Sequence, residues 1–92
     1  MKRTRYDHSA VVVGSTLAVF AGVGPDEKIF NSIEMRDLSQ NPSHWQEVAE
    51  QPILSKRKSM LACSISEYEV LLFGGMDREC YGDMFIFNVK KR

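Results

Sequence analysis

Cysteine, histidine and tryptophan are scarce in this 92-residue chain: two, two and one. Cys63 and Cys80 are too few for the disulfide framework of a small secreted protein. With only His8 and His44 beside them, no CxxC or HxxxH pairing for zinc can be assembled. A reduced, cytoplasmic protein without metal or cofactor is the expectation. An excess of one charge is missing as well, since 12 Lys+Arg balance 12 Asp+Glu. Without a broad basic field, neither nucleic acid nor an anionic membrane surface is an expected partner. Catalytic signatures are also lacking. Ser9, Ser15 and Ser32 sit in no GxSxG setting, and no GxGxxG or GxxxxGK[ST] loop occurs. Gly22-Val23-Gly24-Pro25 follows a strand pattern but opens no helix, so it reads as a turn rather than a phosphate cradle. The chain is not expected to be an enzyme.

No apolar run is long enough to span a bilayer. Lys2, Arg3 and Arg5 before the apolar stretch from Ala10 to Gly24 imitate a secretory signal. Gly14-Ser15-Thr16 interrupts that stretch, and Asp7 and His8 fall where a signal is uncharged. What is present is the balance of a soluble globular chain, 43% hydrophobic and 26% charged, with 6 Gly and 3 Pro. At this length a core repays the entropy of ordering only narrowly, so neighbours are expected.

The apolar residues are arranged for strands. Ala10 to Val13 is rich in β-branched residues, Gly14-Ser15-Thr16 turns, and Leu17 to Gly22 is apolar again, which predicts a buried hairpin. Pro25, Asp26, Glu27 and Lys28 belong to a solvated loop before a third strand over Ser32 to Leu38. A polar loop at 39–43 leads to a short fourth strand, Trp45 to Val48, with Trp45 packing that outer strand onto its own sheet. Residues 51–58, with Pro52 and the cations Lys56, Arg57 and Lys58, read as a surface connection. The pattern then restarts: Met60 to Ile65, Val70 to Phe73 ending at Gly74-Gly75, and Asp83 to Val89. Phe85 and Phe87 alternate with Ile86, as expected of a sheet buried on both faces.

Two units therefore repeat. Arg5 falls on Arg57, Phe20-Ala21-Gly22 on Phe73-Gly74-Gly75, and 31–38 on 82–89, at offsets of 52, 53 and 51 residues. A glycine pair at a strand end permits positive φ and close backbone approach. On these residues the chain resembles the kelch family of β-propellers. That repeat opens with an arginine and small polar residues, ends its second strand on a double glycine, and has an aromatic-aspartate step before a tryptophan. The matching positions are Arg5, His8-Ser9 and Arg57, Ser59; then Ala21-Gly22 and Gly74-Gly75; then Arg36-Asp37 and Phe87-Asn88, with Trp45 after the first unit alone. Ala21 and Arg36 depart from the pattern, and the second unit stops before any tryptophan.

The resemblance implies an all-β fold of antiparallel four-stranded blades forming an incomplete propeller. One full blade (5–50) is followed by the connection (51–58) and three strands of a second (59–92). Since propellers close with four or more blades, the chain is expected to be part of a longer propeller or, less simply, to close a ring with copies of itself. A protein-binding scaffold or adaptor is the expected role. The expected contact surface is the set of loops at one end: Asp26, Glu27 and Lys28; Lys56 and Arg57; Asp77, Arg78, Glu79 and Tyr81. Arg78 and Tyr81 are the residue types favoured as energetic anchors. Gly22, Trp45, Gly74 and Gly75 are expected to be structural. Two other roles stay open: a metal-dependent oxidase or lyase-like propeller enzyme, which the resemblance also allows, and a self-associating half-propeller that pairs through open strand edges.

Overall fold

A computed structural model describes residues 5–40, 44–48 and 56–90. The fold is all-β. Among the described residues, seven strands run β1 (Ser9–Val13), β2 (Thr16–Phe20), β3 (Ile33–Asp37), β4 (Trp45–Val48), β5 (Leu61–Ser64), β6 (Glu69–Phe73) and β7 (Met84–Asn88). They form two antiparallel meanders, β1-β2-β3-β4 and β5-β6-β7. Every expected strand is present, with ends shifted by a residue or two. The expected loop after β2 contains a single 3-10 turn, Pro25–Glu27.

Strand pairing follows the side-chain alternation. In the first sheet, Ser9-Phe20-Ile33 and Val11-Ala18-Met35 form cross-strand rows on one face. In the second, Ala62-Leu72-Phe85 and Ser64-Val70-Phe87 form the rows that meet them. One shared core results, in which Phe20, Ala18, Ile33 and Met35 pack with Met60, Val70, Leu72, Phe87 and Val89. Phe20 and Phe87 meet edge to face, with ring centroids 5.7 Å apart. The serine at the head of β1 is also used across the junction, its hydroxyl donating to the Met60 carbonyl.

The expectation that the second sheet is covered on both faces fails for this chain. Phe85 and Phe87 face the first sheet, but Ile86 between them is 60% exposed. Alternation reports which residues share a face; it does not supply the layer that covers that face.

Both units bend their backbones at matching positions. Asp7 and Ser59, Ala21 and Gly74, and Gly22 and Gly75 all have positive φ: 53° and 58°, 57° and 74°, 98° and 96°. Asp7 and Ser59 precede β1 and β5, whereas Ala21-Gly22 and Gly74-Gly75 end β2 and β6 and send the chain out into a loop. Ala21 departs from glycine here at small net cost. A left-handed alanine is disfavoured by roughly 1–2 kcal/mol, and burying its methyl in the core returns about 0.8 kcal/mol.

Gly22 has no such freedom. A Cβ added to it would lie 2.8 Å from the Tyr6 carbonyl oxygen and 3.0 Å from the His8 Cα, both backbone atoms. At Gly82 an added Cβ meets nothing within 4 Å. Urea unfolding is therefore expected to show Gly22→Ala destabilised by about 2 kcal/mol or more, with Gly82→Ala within about 0.5 kcal/mol of the parent.

Candidate functional site

Because each strand reverses the last, the β2–β3 loop, the approach to β5 and the β6–β7 loop emerge at the same end of the sheets. What fixes these loops is a buried arginine beneath each. The Arg5 guanidinium is fully enclosed. Its Nη1 donates to the Ala21 carbonyl at 2.8 Å and the Ser32 carbonyl at 3.2 Å. Its Nη2 donates to Ser32 Oγ at 3.2 Å and to Glu34 Oε2 at 2.8 Å, and Glu34 is equally enclosed. Phe30 lies 5.0 Å from the guanidinium carbon. One side chain thus grips both feet of the loop that spans 22–31.

Arg57 does the same in the second unit. Its Nη1 donates to the Gly74 carbonyl at 3.0 Å and to Asp83 Oδ1 at 2.5 Å, while Nη2 reaches Asp83 Oδ2 at 3.2 Å, a two-pronged contact. Tyr81 stacks on the guanidinium at 4.1 Å, and Phe85 flanks it at 5.4 Å. Ala21 and Gly74, Phe30 and Tyr81, and Ser32 and Asp83 are pairs at the offsets of the sequence repeat. The loops above are pinned by matching backbone bridges, Tyr6-Val23-Ile29 in one and Lys58-Met76-Cys80 in the other. The Arg57 backbone also joins the units: Gly22 N–H donates to the Arg57 carbonyl at 3.0 Å, and Arg57 N–H donates to the Phe30 carbonyl at 3.2 Å.

This geometry corrects one expected contact residue and reassigns part of another. Arg57 is 1% exposed, so it belongs to the support of the rim and not to its surface. The reason is its two-pronged carboxylate and its aromatic partners, which compensate for the loss of water. Tyr81 is half-buried, and Arg57 occupies one face of its ring. Lys58, counted with the connection, pairs with Met76 and so belongs to the second unit; residues 51–55 lie outside the described ones.

The remaining expected residues, Asp26, Glu27, Lys28, Lys56, Asp77, Arg78 and Glu79, are all exposed at this end. Asp26 and Glu27 have φ of 61° and 57°, a left-handed pair at the loop tip. Non-glycine residues hold such a conformation where the surroundings over-determine it. Gly22, Gly74 and Gly75 occupy the positive-φ exits, and Trp45 lies half-buried on β4 with the Arg36 guanidinium 5.9 Å from its ring.

A second concavity, not anticipated, opens between the sheets at the other end. It is a cleft of about 650 Å³ whose polar lining includes Asp37, His44, Glu67, Tyr68 and Lys90. Ser39 donates to Asp37 from its backbone at 2.9 Å and its hydroxyl at 2.6 Å, holding that carboxyl below its ordinary value. Lys90 Nζ lies 4.1 Å from the Tyr68 ring. These residues come from the end of β3 and its connection to β4, the β5–β6 turn and the segment after β7, which the reversing strands bring to one end. Among the described residues, no group of three or more His, Cys, Asp or Glu is arranged to hold a metal ion. Cys63 and Cys80 are exposed free thiols. No helix among the described residues is long and apolar enough to cross a membrane.

Asp83 makes the second clamp sensitive to acid. The Arg57 hydrogen bond holds its carboxyl below the ordinary value. A lowered folded-state pKa contributes stability at pH above the unfolded value, and that contribution disappears as pH falls through the folded one. Asp83→Asn is expected to be less stable than the parent at pH 7, with the difference shrinking as pH falls below the ordinary carboxylate range, as read by urea unfolding.

Compared with known proteins, the chain matches no family model and no curated sequence.

Proposed function

We propose that the chain is a kelch-type protein-binding module that recognises a partner protein through the loop rim. The observation that carries this reading is the pair of arginine clamps, which holds two exposed, charged loops at fixed spacing on one end of the sheets. Rigid loops bind well because little conformational entropy remains to be lost when a partner docks. The exposed rim alternates in sign: Asp26, Glu27, Asp77 and Glu79 against Lys28, Lys56 and Arg78. Such a mixture favours a protein surface of complementary pattern over the uniform charge of a nucleic acid.

Arg78 is the exposed anchor type in the second loop. The chain should first be used to capture a partner, with the affinity of that partner then measured for the parent, Arg78→Glu and Lys90→Glu, the last at the opposite end. The reading predicts a loss of about 30-fold for Arg78→Glu, the equivalent of a 2 kcal/mol hot spot. Lys90→Glu should bind as the parent does, and all three should give the same circular dichroism spectrum. Equal affinity for Arg78→Glu would move the contact surface away from the rim.

A further inference from the structure

The second sheet carries an apolar face that nothing in the described residues covers. Its cross-strand rows are Leu61-Phe73-Met84 and Cys63-Leu71-Ile86. Leu61, Phe73, Met84 and Ile86 are 70%, 41%, 61% and 60% exposed. Four large apolar side chains on one continuous face form the kind of patch that marks an interaction site.

The internal repeat shows what fits there. At the repeat offsets, these rows correspond to Ser9-Phe20-Ile33 and Val11-Ala18-Met35 of the first sheet. In that sheet the face is closed: Phe20 and Ile33 are 0% exposed, covered by the opposite face of the second sheet. An interface already built once in this fold thus joins the front face of one unit to the reverse face of the next.

A reverse face is available on the first sheet. The residues of the second sheet that cover the first include Ala62, Val70 and Phe85. Their counterparts are Ala10, Leu17 and Glu34, with Val12 beside them on the same side of β1. Val12 and Ala10 are exposed and Leu17 is half-buried. Glu34, the charge that replaces Phe85 in this layer, and Val19, the counterpart of Leu72, are already enclosed, Glu34 with its charge paired to Arg5 at 2.8 Å, so the open part of the reverse face is Ala10, Val12 and Leu17. A single chain therefore presents both halves of the contact on opposite sides.

We propose that a second copy of this chain docks head to tail, setting the reverse face of its first sheet, around Val12 and Leu17, on the Leu61, Phe73, Met84 and Ile86 face. The contact is heterologous, so the pair keeps one free face of each kind, the reverse face on one copy and the front face on the other. It does not use the loop rim, and its outcome is independent of whether the rim binds a partner.

Light scattering on the full chain and two variants tests this. Parent chain mass should rise with concentration above the 10.5 kDa monomer. Ile86→Glu removes the front face and Val12→Glu the reverse face; both positions are exposed, and unchanged circular dichroism would show that each variant folds. Each variant alone should stay monomeric. Mixed, they should form a 1:1 dimer, because the intact front face of Val12→Glu meets the intact reverse face of Ile86→Glu. A parent that stays monomeric at every concentration would overturn the proposal. So would a Val12→Glu that self-associates like the parent, which means two front faces pairing symmetrically, or a mixture that remains monomeric.

Discussion

The enclosed ion pair between Arg5 and Glu34 sets the form of the first unit, and its counterpart at Arg57 and Asp83 sets that of the second. A buried guanidinium is costly unless its charge is paired and its terminal nitrogens are hydrogen-bonded. Here the solution is the same in both units: a carbonyl at the end of the second strand, a polar side chain just before or within the third, and an aromatic ring. Satisfying the arginine forces both ends of the connecting loop to converge on it. The positive-φ residues at 21–22 and 74–75 are the backbone expression of that convergence. The two clamps differ in setting, since Glu34 is enclosed whereas the Asp83 side chain is 45% exposed.

Much of this was legible in the sequence. β-branched runs broken by Gly14 and by the glycine pairs locate the strands, because period-two burial and turn chemistry are local properties. The 52-, 53- and 51-residue offsets found between the halves reappear as matched bridges, matched positive-φ residues and matched arginine contacts. Arg57 was not legible as a buried residue. A run of three cations ordinarily marks a solvated face, and what buries the middle one is a carboxylate 26 positions away in the chain. Glu34 escaped notice for the same reason: within its strand it reads as a surface residue, and only contact with Arg5 makes its burial possible. The cleft around Asp37, His44 and Lys90 draws on turns distant in sequence, so no local pattern announces it.

The division of the molecule follows from these contacts. The core between the sheets and the clamps at one end make a rigid platform, and the charged loops stand on it. The junction is tied by the Arg57 backbone and by Ser9 donating to the Met60 carbonyl, so the rim loops of the two units keep a fixed relation. Sequence alternation, with apolar residues on both faces of the second sheet, also leaves that sheet with an outward apolar side. The same repeat logic that builds the internal junction describes a surface able to extend it.

Double-mutant analysis of Arg5 and Glu34 by urea unfolding tests the central claim most directly. If the enclosed ion pair organises the first unit, Arg5→Met and Glu34→Leu each leave one buried charge uncompensated and should cost about 3–5 kcal/mol. The double variant, which removes both charges, should recover most of that loss, giving a coupling of several kcal/mol. Single variants within about 0.5 kcal/mol of the parent, with an additive double variant, would contradict the account.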